Sequence, residues 1–340
     1  ELAENQDARL HVLWHQRADT PWVDAGHLVA WDDIPLRTVE NTAVTPQVKR
    51  STLLTGGGTI RVGETSLSWD AMGTIALVVD GIDVGLTDFS PSLWRAPTDN
   101  DGVRHGWMSE VSGVRPQWVG WGLDTLAVEV QDITRGETTD GASVISFTRS
   151  ITGDDAAALA TSQFVIDHEA VVLHEIVEVP VAWTDLPRVG TRFEVSPRFD
   201  RLAWFGRGPH ETYPDRKASG RTGIWESLVA DQYHAFVVPQ EHGAHADTRW
   251  FTLTDHHGNG LRVSGHVPMS FSARFEHDTT LAAASTIADV EQSDTIEVHV
   301  DAGVRGLGTA ACGPDCLPEY RLGSGTYQRT TTFQAERPHL

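Results

Sequence analysis

The residues able to do chemistry fall into four segments. WFGRGPHETYPDRKASGR, Trp204 to Arg221, crowds Arg207, His210, Glu211, Asp215, Arg216 and Lys217 into 11 positions. His210 beside Glu211 has the types of an acid/base pair. Neighbours on an extended strand point to opposite faces, however, and charge this dense also pairs with itself without a ligand. VPQEHGAHADTRW, Val238 to Trp250, offers Glu241, His242, His245 and Asp247. Histidines at i and i+3 suit one face of a helix, but Gly243 and Pro239 argue against a helix and no cysteine is near. Zinc is not expected there.

The third segment is WRAPTDNDG, Trp94 to Gly102. Its Asp99, Asn100 and Asp101 either close the loop on itself through Asx-turns or accept hydrogen bonds from sugar hydroxyls, with Gly102 as a hinge for the following VRHGWMSEV. The fourth is GLGTAACGPDC, Gly306 to Cys316. No helix opening with Lys-Ser/Thr follows its glycines, so it is no phosphate cradle, and C-x-x-x-C is one residue too long for a thioredoxin-type dithiol. It reads as a glycine-rich loop between strands, in which exposure of Cys312 separates an active role from a structural one. The 12 Trp against 4 Tyr suggest carbohydrate, since indole faces stack on sugar C–H surfaces, although core packing is the commoner use of any one Trp.

Strands must position these loops. In DTIEVHVD, Ile296, Val298 and Val300 alternate with Thr295, Glu297, His299 and Asp301, the period of a half-buried strand. RLHVLW near the start repeats it. HHGNG at 256–260 separates RWFTLT from LRVSG, and IDHE at 166–169 separates two apolar runs, as hairpin loops do. No long capped 3.6-residue periodicity occurs, though 222–236 could hold one short helix. An all-β, antiparallel sandwich architecture is therefore expected. TPQVKRSTLLTGGGT marks a boundary near residue 50. Residues 1–50 are too few for an independent sandwich and read as the end of one, with a single large β domain over 51–340.

Composition narrows the partners. The chain has 340 residues, 40% hydrophobic and 21% charged, with a net charge of −21. That sign, with no Lys/Arg-rich segment, argues against nucleic acid and anionic membrane surfaces. No apolar run approaches the roughly 18 residues needed to span a bilayer. Cys312 and Cys316 are the only cysteines, so no disulfide framework is expected and the cytoplasm is the default setting. The acidic N-terminus has no signal-peptide pattern. It lacks a Met and enters a strand at once, as the middle of a longer protein would.

Taken together, WRAPTDNDG, GRGPHETYPDRKASGR, VPQEHGAHADTRW and GLGTAACGPDCLPEYRL resemble, in order and spacing, the C-terminal part of the large bacterial β-galactosidases of glycoside hydrolase family 2. The resemblance implies the last strands of an immunoglobulin-like β-sandwich followed by a galactose-mutarotase-like β-supersandwich. It also implies upstream sandwich and TIM-barrel domains, a galactoside substrate such as lactose, and a homo-oligomer. The family's nucleophile and acid/base glutamates sit on the barrel, as do most ligands of its Mg²⁺ and Na⁺, so no catalytic residue and no cofactor carries over to this chain. Nothing here marks a pair of carboxylates at glycosidase spacing. The resemblance assigns Cys312 to a loop that lines the sugar site, where many members carry Trp. It places Asp99, Asn100, Asp101 and Gly102 before a mobile loop, and leaves His210, Glu211, Glu241 and His242 as further candidates to face the site. Competing expectations are the small subunit of a two-chain β-galactosidase, an aldose epimerase using a His with a Glu, and a non-catalytic carbohydrate-binding module.

Overall fold

Alternating apolar residues and Asp/Gly turns produce a chain of strands. The computed structural model describes residues 7–39, 46–102 and 113–338. Its first strands are β1 (Ala8–His15), β2 (Leu28–Arg37), β3 (Val48–Leu53), β4 (Gly58–Val62), β5 (Thr65–Trp69), β6 (Ile75–Val79), β7 (Ile82–Asp83) and β8 (Thr87–Ser92). After the short helix α1 (Arg115–Gly120) come β9 (Ala127–Thr138), β10 (Ser143–Thr152), β11 (Ala157–Ile166), β12 (Ala170–Val179), β13 (Arg188–Val195), β14 (Arg201–Gly208), β15 (Arg221–Leu228), β16 (His245–Thr254) and β17 (Gly260–Arg274). Helix α2 (Asp278–Ala283), β18 (Ile296–Val304) and β19 (Gly325–Glu336) complete the order. Every pairing among them is antiparallel.

The chain divides into two compact units, Glu1–Thr42 and Ala43–Leu340. The first is the β1–β2 hairpin, whose Leu10, Leu13, Trp14, Val29, Ile34 and Leu36 are all exposed. The second holds a four-stranded sheet β4-β5-β6-β7 and a 13-stranded sheet. β3 starts before residue 50 and pairs with β9 in that large sheet, so the join between the units falls earlier than the Pro/Gly-rich signal suggested.

Both hairpins expected from turn chemistry form. β11 and β12 pair across residues 167–169, and Asp255 closes the β16–β17 turn by accepting from the N–H groups of His257 (2.9 Å) and Asn259 (3.0 Å), an Asx arrangement. The one short helix allowed within 222–236 is confined to a single 3₁₀ turn. That segment continues β15 to Leu228 and then makes this turn over Val229–Gln232. Pairing with β14, with Trp204 opposite Trp225, satisfies its backbone, and β-branched and aromatic residues favour the strand.

The long β17 forks the large sheet. Its Gly260–Gly265 half pairs with β19, while Ser270–Arg274 pairs with β18, which in turn pairs with β13. The apolar core gathers Ile60, Leu67 and Leu77 of the small sheet with Phe164 of β11, Phe271 of β17 and Val298 of β18. β18 itself departs from the sequence reading. Both of its faces are buried, so Glu297, His299 and Asp301 look into protein rather than water. Among the described residues no helix is long and apolar enough to cross a membrane.

Candidate functional site

The polar face of β18 lies at the centre of a buried ionic cluster. Register places Arg192 opposite His299 across β13–β18, and Ser272 and Arg274 of β17 opposite His299 and Glu297. At Gly190, opposite Asp301, a Cβ would stand 2.2 Å from Asp301 Oδ1, so glycine is what lets the carboxylate lie against β13. Arg188 contacts Glu241 Oε1 (3.3 Å), Asp278 Oδ2 (2.8 Å) and Asp301 Oδ1 (3.2 Å). Arg274 pairs with Asp278 and with Glu241 Oε2 (3.3 Å), and also donates to the carbonyl of His242 (2.8 Å). Arg192 Nη1 reaches Glu297 Oε2 at 2.9 Å.

Buried charges must be paired to be tolerated, and the pairing fixes protonation. Burial alone would raise the carboxyls of Asp278 and Glu297, but Arg274 and the neighbouring His299 hold both below the usual carboxylate range, helped by Arg188 at Asp278 and by Arg192 at Glu297. At Asp301 burial wins and pushes the carboxyl up to about 6 against the pull of Arg188.

Glu241 and His242, both expected as candidates to face the site, are buried. Glu241 is locked between Arg188, Arg274 and the Tyr213 hydroxyl, which donates at 3.2 Å. His242 is buried with Nδ1 donating to the Gln240 carbonyl (2.9 Å), and burial, aided by Arg274, pushes it down to about 4. His245 is buried as well, bonded to Gln232 Oε1 (2.7 Å), and burial pushes it down to about 3. Sequence spacing paired these two histidines, but their bonds run to different partners.

A second polar system braces the loops. Arg95 and Asp101 form a fully buried pair, at 2.6 Å through Nη1 and 3.1 Å through Nη2, and Asp101 Oδ2 also accepts from Thr98 N (2.7 Å) and Thr98 Oγ1 (2.9 Å). Expected among the sugar acceptors, Asp101 instead has both oxygens occupied within its own loop. Asn100 leaves that loop altogether: its Nδ2 donates to Gly308 O (2.9 Å) and its Oδ1 accepts from Ala311 N (3.1 Å). Asp99, half-buried, donates its N–H to Gln240 Oε1 (3.1 Å). Gly102 is buried at the end of the described segment, and VRHGWMSEV, expected to move about it, lies outside the described residues.

The same brace holds the C-terminal loop. Asp215 accepts from Leu307 N (2.9 Å) and Gly308 N (2.7 Å), and Arg305 binds Asp185 (2.8 Å) and Asp315 (2.7 Å). Gly308 has φ +61°, and a Cβ there would meet Cys316 N at 2.5 Å. Cys312 is a free, exposed thiol near the tip, while Cys316 is buried and also free.

His210 and Glu211 line a cleft of about 430 Å³ with Arg216, Ser219, Tyr233 and His234. His210 is exposed and hydrogen-bonded to Ser219 Oγ (2.9 Å), while Glu211 pairs with Arg216 and accepts from Gly243 N (2.7 Å). The two side chains thus have separate partners, and both lie beyond the end of β14 at Gly208 rather than on a strand. The residues missed in the sequence are Asp278, Glu297 and His299, which converge in space. The signal available was the E-x-H-x-D alternation in β18, read as a wet face.

A family described as β-galactosidase small chain matches residues 65–333, and the chain belongs to that family. The β-galactosidase of Arthrobacter sp. (strain B7) is 28% identical over 329 residues, covering 90% of this chain and 31% of that protein. The β-galactosidase of Vibrio cholerae serotype O1 is 26% identical over 345 residues, covering 98% and 33%, and that of Kluyveromyces lactis is 24% identical over 326 residues, covering 92% and 30%. The chain spans about a third of the length of these curated relatives. Among solved structures, a putative aldose 1-epimerase from Escherichia coli K12 overlaps 85% of this chain and all of its own, at 11% identity and a TM-score of 0.42. A GalM/aldose epimerase homologue from C. elegans covers 84% of this chain, at 9% identity and a TM-score of 0.43.

Proposed function

We propose that the chain is the C-terminal portion of a retaining β-galactosidase of glycoside hydrolase family 2, which cleaves terminal β-D-galactosyl bonds in lactose-type substrates. The observation that carries this reading is the family match over residues 65–333, within which Asn100 ties the WRAPTDNDG loop to the loop bearing Cys312. In this reading the braced loop 306–316 faces the galactoside, with Cys312 widening the aglycone side where an aromatic would stack. The reacting glutamates and the residues holding Mg²⁺ and Na⁺ belong to an upstream barrel, and the chain's own part is to shape the mouth of the site. The β1–β2 hairpin is the end of an immunoglobulin-like sandwich, a reading supported by Trp14 and Leu36, 47% and 60% exposed on it. The full enzyme is a cytoplasmic homo-oligomer.

The test is an assay of the purified 340-residue chain on a chromogenic galactoside, where no turnover is expected. Turnover that disappears in Glu211→Gln would overturn the reading by placing the chemistry in the His210–Glu211 cleft.

A further inference from the structure

Asp278, Glu297 and His299 each bring one ligand-type atom within 4.8 Å of the others. His299 Nε2 stands 3.3 Å from Asp278 Oδ2 and 3.3 Å from Glu297 Oε1. Those separations are long for a charge-assisted hydrogen bond, which closes to about 2.7–2.9 Å. They match the edges of a coordination tetrahedron, since bonds of about 2.0–2.2 Å to zinc set neighbouring ligand atoms roughly 3.3–3.6 Å apart. The imidazole is also poorly satisfied. His299 is 1% exposed, Nε2 meets only those two carboxylate oxygens without hydrogen-bond geometry, and Nδ1 has no hydrogen-bond partner among the described residues, so the buried ring calls for a further partner. All three side chains line a cavity of about 210 Å³, walled elsewhere by Trp94, Leu126 and Arg192, which leaves room for a fourth ligand from solvent.

We propose that Asp278, Glu297 and His299 bind one divalent transition-metal ion, zinc by donor type. An imidazole with two carboxylates suits zinc, whereas Mg²⁺ and Ca²⁺ take oxygen ligands alone. The guanidiniums nearby do not forbid it. Arg188, Arg192 and Arg274 stand against Asp88, Glu194, Glu241, Asp278, Glu297 and Asp301, so negative groups outnumber positive ones. A carboxylate oxygen has two lone pairs, so Asp278 Oδ2 can keep its bond from Arg188 (2.8 Å) and Glu297 Oε1 its bond from Asp278 N (2.8 Å) while each ligates. Those donors then orient the ligands, as outer partners do at metal sites. The ion would join α2 to β18. The inference stands on this cluster alone, whatever the chain's role in galactoside cleavage.

The test is to strip the chain with chelator, titrate it with Zn²⁺ by calorimetry, and measure zinc retained after gel filtration. One equivalent is expected, with affinity at least tenfold weaker in His299→Ala and in Glu297→Gln. The exposed His256–His257 pair, rings 3.7 Å apart, is the rival surface site, so the double variant His256→Ala/His257→Ala should keep the equivalent. Circular dichroism checks each fold. If His299→Ala does not fold, the milder Glu297→Gln decides. Failure of the wild-type chain to retain zinc overturns the proposal, as does undiminished affinity in a folded cluster variant.

Discussion

Two sets of charged side chains organise the larger unit, and they are built differently. Around Glu241 the partners are other charges, each shared: Arg188 meets three carboxylates and Arg274 two, from β13, β17, β18, α2 and the loop before β16. Around Asn100 and Asp215 most bonds run from side chain to backbone, at Gly308, Ala311 and Leu307. Shared charges in the dry interior make strand placement all-or-none, because a lost partner leaves an uncompensated charge. Side-chain bonds to loop backbone set one local shape, and water can replace them at the surface. The first set serves the fold and the second serves the loops that the proposed function needs.

The largest expected effect is in the first set. Arg188→Ala should cost about 3–5 kcal/mol, the usual range for breaking a buried pair, read from urea unfolding. A cost near that of a loop variant would erase the distinction. Next comes pH. His242 and His245 sit at about 4 and about 3 in the fold against about 6.5 unfolded. The unfolded chain then binds more protons below pH 6.5, so stability falls with falling pH, by up to about 1.4 kcal/mol per unit for each histidine. Asp301, at about 6 folded, works the other way between pH 6 and its unfolded value near 3.9. Urea midpoints should therefore drop between pH 6.5 and 4, and His245→Gln should flatten the slope. An unchanged slope in that variant would show that His245 does not contribute.

Smaller effects belong to the loops. Asn100→Ala removes two bonds to backbone and should cost about 1–2 kcal/mol, with faster proteolytic cleavage within 306–316. If neither stability nor cleavage changes, Asn100 is not a brace. Smallest is Cys312→Trp in the full-length enzyme. It should leave the melting temperature unchanged and lower KM for aryl galactosides by the equivalent of about 0.5–1.5 kcal/mol, the value of an aromatic contact. Unaltered kinetics with an intact fold would mean that this loop does not reach the sugar.

The strands, the 166–169 and 256–260 turns and the all-β class were legible because alternation and turn residues act over a few positions. The helix considered for 222–236 was not excluded locally, since only pairing with β14 settles that segment as strand. The loops were legible as loops, and Asn100 as a residue that matters there, but not its partner.

By itself the sequence determined which residues alternate, where the chain turns and which segments carry polar side chains, all consequences of local backbone geometry. Only the tertiary structure decided which polar side chains meet. Arg188 reaches Asp278 across 90 positions and Asn100 reaches Gly308 across 208. The alternation in β18 is the same whether Glu297, His299 and Asp301 face water or guanidinium groups. Burial was decided by β13, β17 and α2 covering that face, because a charge leaves water only where a distant partner is already in place.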